Sequence, residues 1–514
     1  MQPDPHLVLR LSAITKRFGS LVANEAIGLD LRRGEILALL GENGAGKTTL
    51  MNILFGHYVA DAGEIRVAGS DGALRALPGG SPHAALKAGI GMVHQHFALA
   101  ESLTVLENVV LGTRPLVSPA LRLSEARAKL GTLMRESGLT VRPDERVSRL
   151  AVGERQRVEI LKVLFRGARI VVLDEPTAVL TPNEAEGLFG VLRRLREAGF
   201  AVIFITHKLR EVLAIADRVA VLRAGRKVAD QPIAGVDRAT LASLMVGRDV
   251  PPSRREPREP GRPVLSLERI SVRPSAGGTG IADVSLQVRE GEIVGIAGVS
   301  GNGQGALAAL IAGMAPPAAG RATLFGRSLR PSPRAAVQAG IARVPEDRHH
   351  EGIVGSLTVG ENLVLEILDD ASVQRWGFLR FRAIREKART TIAAFDIRCP
   401  GPDAPIGLLS GGNIQKVILA RGLGRQPRAV LANQPTRGLD VGATADVHRR
   451  LLEARARGAA VLLISEDLDE LFALSDRIAV LSQGRLSAPA PVEDLTIERV
   501  GLLMAGQGME GQAS

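Results

Sequence analysis

The sequence predicts an α/β protein in which one unit is used twice, each unit a mostly parallel sheet flanked by helices and carrying an inserted helical subdomain. Three observations predict it. A glycine-rich stretch, 41–49, follows the apolar run 36–40 and precedes a helix-like segment at 50–55, the strand-turn-helix order of a nucleotide-phosphate cradle. Landmarks of the first half recur in the second at a nearly constant offset. Within each half, short β-rich apolar runs alternate with longer helical ones, as parallel sheets with crossover helices require.

The glycine-rich stretch reads Gly41, Glu42, Asn43, Gly44, Ala45, Gly46, Lys47, Thr48 and Thr49. Gly41 and Gly46 would let the main chain approach phosphates with no Cβ in the way. Lys47 is placed to reach the β and γ oxygens, and the Thr48 hydroxyl to ligate Mg²⁺. A turn that binds nothing would not need every one of these positions filled.

At 514 residues the chain exceeds one hydrophobic core. Its 45% hydrophobic content supports packed globular domains, and no window of 18 consecutive apolar residues predicts a membrane span. Residues 1–5 begin no basic-then-apolar segment, so no secretory signal is expected. Cys399 is the sole cysteine, which excludes a disulfide within the chain and makes the cytoplasm the expected compartment. The net charge of +11 comes from scattered arginines, the pattern of a solvated surface more than of one basic patch. Aromatic content of 3% argues against single-stranded nucleic acid held by base stacking.

Gly34-Glu35-Ile36 recurs as Gly291-Glu292-Ile293, Gly41 aligns with Gly298, Pro176-Thr177 with Pro435-Thr436, and Asp217-Arg218 with Asp476-Arg477. The expected division is a first domain over 1–250, an extended proline- and arginine-rich linker over 251–263, and a second domain over 264–514. In the first domain strands are expected at 36–40, 170–173, 201–205 and 219–222, and a helix at 184–197. The section 102–149 reads as the inserted helical subdomain, with an amphipathic helix over 126–137.

The strand at 170–173 ends in Asp174 and Glu175. An acid at the end of a buried strand beside a phosphate loop can hold Mg²⁺, here Asp174, and a second can polarise the attacking water, here Glu175. His207, after the strand at 201–205, is a candidate γ-phosphate contact. Gln95 is a neutral side chain that could sense metal and water, whereas His94 and His96 read as structural. Phe18 is a candidate face for adenine stacking.

With these parts in this order the chain resembles the ATP-binding subunit of an ABC transporter over almost its entire length, which implies a pair of P-loop ABC ATPase domains. The resemblance implies a signature motif that contacts nucleotide bound to the opposite domain of a head-to-tail pair. It stands as Leu409-Ser410-Gly411-Gly412-Asn413 in the second half and departs to Leu150-Ala151-Val152-Gly153-Glu154 in the first. In the second half Gln304 replaces the lysine, Gly305 the Mg²⁺-ligating hydroxyl, Asn433-Gln434 the two acids, Glu466 the histidine and Glu346 the glutamine, and no aromatic matches Phe18. Assembled across the pair, the intact parts of the first half would face Ser410, Gly411, Gly412 and Asn413, with Asp440 a further cross-domain contact whose counterpart is Thr181. All the alterations then fall in the other composite site. One hydrolytic site is expected, and one that binds nucleotide weakly or statically.

Fused domains with an altered second site are similar to the importers of simple sugars and of nucleosides, and the stretches 92–97, 103–112 and 344–348 favour the nucleoside branch. That resemblance implies ATP and Mg²⁺, two membrane permeases, an extracytoplasmic solute-binding protein, and a peripheral position on the cytoplasmic face of the inner membrane, with no nucleic acid. The same machinery importing a pentose or hexose is one alternative, and a tandem ATPase acting on ribosomes or nucleic acid is the alternative of another class. Its usual long charged linker and two competent sites are missing from the sequence.

Overall fold

The computed structural model describes residues 4–506 except 5, 70, 95–96, 114–122, 178–179, 181, 248, 250–254, 275–277 and 505, and omits the side chains of 182 and 183. The chain separates into two units, Met1–Pro251 and Pro252–Ser514.

In the first unit the strand Ile36–Gly41 is buried at every residue and lies between Ala201–Ile205 and Arg218–Arg223, parallel to both. Ala201–Ile205 continues in parallel to Ile170–Asp174 and then Ile90–Val93, and Arg226–Pro232 adds an antiparallel edge. Burial on both faces is why these strands read as continuous apolar runs. Ile36, Val171 and Phe204 point into a core shared with Leu161 and Leu192 of the helices, while Leu37, Val172 and Ile203 point to Leu50 and Leu54 on the other face.

Each unit also contains an antiparallel sheet that the sequence reading did not separate out. In the first it runs Leu21–Arg32, Leu7–Phe18, Ala62–Ala68, Leu74–Ala76. Its signal was the alternation of buried Leu7, Leu9 and Leu11 with more exposed neighbours. The helical insertion comprises Val105–Val110, opened by a Thr104–Glu107 capping box, and Leu123–Ser137, which starts a turn earlier than expected.

The second unit repeats the plan. Ile341–Val344, Ala429–Asn433, Ala460–Ser465, Ile293–Ala297 and Arg477–Ser482 form its parallel sheet, and Val359–Val364 and Phe381–Ala394 its helical insertion. Between those two helices stands a two-stranded hairpin, Gln374–Arg375 with Phe378–Leu379, which the sequence did not announce.

Residues 255–262, read from the sequence as part of an extended linker, are bound to the second unit. Arg258 donates to the carbonyls of Arg455 and Ala456 at 3.2 and 2.6 Å, at the end of the helix Val441–Ala456. Arg255 donates to the Ser475 carbonyl at 2.5 Å and pairs with Glu493, and Arg455 returns a bond to the Glu256 carbonyl at 3.0 Å. A guanidinium on carbonyls at a helix C-terminus adds a donor there and complements the helix dipole, interactions that charge counting along the sequence cannot reveal.

Candidate functional site

The loop after Ile36–Gly41 delivers the chain into the helix Lys47–Phe55, whose N-cap is Gly46 at φ 97°. A Cβ on Gly46 would lie 2.3 Å from the Ala23 carbonyl oxygen, and one on Gly41 would lie 2.4 Å from that of Leu222. Packing inside the unit therefore already requires these glycines, apart from any phosphate. Lys47 is buried and its Nζ donates to the Gly41 and Glu42 carbonyls at 2.7 and 3.0 Å, which folds the ammonium back over the loop. Asn43, Gly44 and Thr48 are exposed, Glu42 and Thr49 half-buried, and Ala45 buried.

Asp174 closes the strand Ile170–Asp174, and Glu175 follows at φ 45° with its N–H donating to the Ile205 carbonyl at 3.0 Å. A glutamate in the left-handed region costs on the order of 1 kcal/mol, a strain found at functional turns. His207 Nδ1 lies 2.9 Å from Glu175 Oε1. The two acids are driven apart electrostatically. Burial, reinforced by the charge of Glu175 and opposed by Lys47, pushes the Asp174 carboxyl up from the ordinary carboxylate range. The hydrogen bond to His207, aided by the charges of His207, Lys47 and Lys208 against burial, holds the Glu175 carboxyl below it. Glu175 is thus kept as a carboxylate beside a ring, while Asp174 is penalised for its charge and would be relieved by a cation.

Sequence reasoning missed Glu211. Its carboxylate accepts from Thr177 Oγ1 at 2.5 Å and Thr206 Oγ1 at 2.9 Å, all three side chains buried. Thr177 is two residues after Glu175 and Thr206 one before His207, so a single acid ties together the loops that carry the pair. The repeat held the clue: in the second unit Thr436 Oγ1 donates to Glu470 at 2.9 Å.

Phe18 is 44% exposed, its ring 5.6 Å from that of Tyr58 in an edge contact and 5.5 Å from Lys16 Nζ, which leaves it open to a flat ligand and outside the core. His94 is packed against Phe55 and His57, and burial with the neighbouring His57 depresses its pKa. Gln95, His96 and Thr181 lie outside the described residues.

The second unit keeps the backbone and changes the chemistry. Gln304 Oε1 accepts from the Asn302 N–H at 3.0 Å and its Nε2 donates to the Val299 carbonyl at 2.8 Å, so the side chain uses a loop N–H that a phosphate cradle would offer. Gly305 has no hydroxyl. Gln434 repeats the left-handed turn of Glu175, at φ 49°, with its N–H on the Ile464 carbonyl at 2.8 Å. Asn433 is buried, and its Oδ1 has no partner among the described residues. Glu466 donates its N–H to Gln434 Oε1 at 3.3 Å, and Glu346 pairs with Arg437.

Ser410 begins the helix Gly411–Leu423, and Asn413 Nδ2 donates to its hydroxyl at 2.9 Å, while Asn413 Oδ1 accepts the Arg398 N–H at 2.9 Å. Arg348 reaches the carbonyls of Gly411, at 3.4 Å, and of Arg437. A Cβ on Gly412 would touch Ala443 at 3.6 Å. Asp440 caps the helix Val441–Ala456 through the Ala443 N–H at 2.7 Å. In the first unit Ala151 lacks the hydroxyl of Ser410, and Glu154 accepts its N–H at 3.0 Å.

Among the described residues no cluster of three or more His, Cys, Asp or Glu side chains could hold a metal. A hydroxyl and one or two carboxylates beside substrate phosphates are what Mg²⁺ uses in place of a protein cage, so Thr48 and Asp174 fit it.

The family model described as ABC transporter matches the chain twice, over residues 25–178 and 281–437. A nucleoside import ATP-binding protein of Lactococcus lactis subsp. cremoris is 42% identical over 501 residues, which cover 97% of this chain and 98% of the relative. A glucose import ATP-binding protein of Haloferax volcanii is 45% identical over 536 residues, 97% of this chain and 96% of the relative. Among solved structures, an archaeal ribosome recycling factor in complex with a ribosomal stalk protein matches 96% of this chain and 92% of its own at a TM-score of 0.63 and 19% identity, a likeness of fold alone.

Proposed function

Since this chain belongs to the ABC transporter family of ATPases, we propose that it powers an importer, coupling ATP hydrolysis to the uptake of a nucleoside through partner membrane permeases. The observation that carries the reading is that Asp174 and Glu175 both feel the charge of Lys47 while His207 pairs with Glu175, a set intact in the first unit and replaced in the second.

Lys47 and the loop 41–49 bind and orient the β- and γ-phosphates. Glu175, held ionised, accepts a proton from the attacking water, and His207 keeps that carboxylate aimed. Thr48 and Asp174 would hold Mg²⁺, which when bound neutralises charge on the phosphate oxygens. Phe18 offers its ring to adenine. Ser410, Gly411, Gly412, Asn413 and Asp440 are assigned to the same reaction by family resemblance alone. With Gln304 closed on its own loop and no acid at 433 or 434, the second unit is assigned weak or static nucleotide binding.

The relative named for nucleoside import supports the choice of solute, together with the stretches 92–97, 103–112 and 344–348. The relative named for glucose import favours a simple sugar as the second reading. No helix among the described residues is long and apolar enough to cross a membrane. In this reading two permeases provide the crossing, an extracytoplasmic protein delivers the solute, and the chain sits peripherally at the cytoplasmic face of the inner membrane.

The test is uptake of labelled nucleosides and, separately, of labelled pentoses and hexoses, in cells carrying either this chain or its Glu175→Gln variant. Loss of nucleoside uptake alone is expected, since removing an acid-base group slows hydrolysis by about 10²–10⁴. Loss of sugar uptake instead would overturn the solute, and no change in either would overturn the transport reading.

A further inference from the structure

The hairpin Gln374–Arg375 with Phe378–Leu379 has a fixed base and an unpartnered tip. At the base Val373 is buried against Val364 and Ile384, the Arg380 N–H donates to the Val373 carbonyl at 2.8 Å, and Gln374 Oε1 accepts the Gly377 N–H at 2.9 Å. At the tip Trp376 is 86% exposed and Phe378 79%, with Phe381 53% exposed where the next helix begins. In a chain with one tryptophan and 3% aromatic residues, three exposed rings within six residues serve no core.

The turn sharpens the point. Trp376 and Gly377 both have positive φ, 53° and 83°, the geometry of a two-residue turn that favours Asn, Asp or Gly. A bulky ring at such a position is strained, and here no burial offsets the strain. Charge supplies the rest. From 371 to 385 the sequence holds four arginines and no acid. Arg385 pairs with Asp403, Arg375 stacks on Trp376 at 4.8 Å, and among the described residues Arg375, Arg380 and Arg382 have no carboxylate partner. Aromatic rings flanked by arginines are suited to the headgroup layer of a membrane, where the rings enter the interface and the cations meet lipid phosphates.

We propose that this hairpin seats the second unit on the anionic surface of the lipid bilayer, with Trp376 and Phe378 in the headgroup layer and Arg375, Arg380 and Arg382 on lipid phosphates. The inference rests on the membrane location proposed above. It is tested without permeases or solute, so its failure is distinct from a failure of nucleoside uptake.

Trp376, as the sole tryptophan, is its own reporter. The purified full chain is mixed with vesicles of phosphatidylglycerol and phosphatidylcholine, or of phosphatidylcholine alone, and ATP hydrolysis is measured on the same preparation. A blue shift of the emission with the anionic vesicles only, reversed by high salt, is expected. The R375Q/R380Q/R382Q triple variant should bind these vesicles at least tenfold more weakly with hydrolysis within twofold of the parent. An absent shift, an equal shift with neutral vesicles, or undiminished binding by the triple variant would overturn the proposal.

Discussion

Glu211 is expected to matter to hydrolysis through the two loops it joins, and the size of the effect follows from burial. Thr177 and Thr206 are each 2% exposed and both donate to its carboxylate. In a Glu211→Ala variant both buried hydroxyls lose their acceptor, and each one left orphaned costs about 1–3 kcal/mol, or about 2–6 kcal/mol for the two. That is a large share of a domain stability of about 5–15 kcal/mol. The loops carrying Glu175 and His207 lose their common anchor, and a misplacement of about 1 Å can cost on the order of 10² in rate. The KM for ATP should hold, because the Lys47 ammonium is held by the Gly41 and Glu42 carbonyls of its own loop. The assay pairs thermal denaturation with ATP titrations of steady-state hydrolysis, on Glu211→Ala and on a Thr177→Val/Thr206→Val/Glu211→Leu triple variant. Replacing donors and acceptor together by apolar groups removes the orphaned hydroxyls, so the triple variant should recover stability and not kcat. A Glu211→Ala variant that melts early but keeps kcat within twofold would refute the positioning argument, as would a rise in KM as large as the fall in kcat.

Two further outcomes are expected. Asp174 has a raised carboxyl pKa in the folded chain, so folding favours its protonated form and stability falls as pH rises through the ordinary carboxylate pKa toward the raised one; Asp174→Asn should therefore melt later than the parent at pH 7.5, lose this advantage at pH values below the ordinary carboxylate range, and lose Mg²⁺-dependent hydrolysis. Gln304→Ala removes the two bonds that close the second loop and should lower the melting temperature by an amount equivalent to about 1–3 kcal/mol, with hydrolysis within twofold; a loss as deep as that of Glu175→Gln would contradict the division of labour between the units.

The parts legible in the sequence were those that are local. A phosphate loop, a strand ending in Asp174-Glu175 and a strand leading to His207 are contiguous strings whose spacing mirrors the path of the backbone. The parallel sheet followed because strands buried on both faces are apolar without interruption. What escaped depends on contacts between distant residues. Glu211 is one acid among many on a short helix until the fold brings Thr177 and Thr206 to it. Arg348 gave no hint that it reaches the carbonyls of Gly411 and Arg437, and Arg255 and Arg258 looked like solvated charge until the carbonyls of Ser475, Arg455 and Ala456 appeared beneath them. The hairpin tip escaped for another reason: a turn built on tryptophan lacks the Asn-Gly or Asp-Gly pair by which such turns are read.

Glu175 and Gln434 sit in the same left-handed turn, each with its N–H on the carbonyl of the neighbouring strand. The contortion is therefore a property of the scaffold and persists where no acid is present to use it. This makes the molecule its own isogenic control: two copies of one main-chain template in a single polypeptide, one carrying a carboxylate and the other its uncharged amide. A graft of side chains from one copy to the other would change the reactive groups on a backbone turn already formed, and whatever activity failed to follow would have to be sought in the surrounding shell.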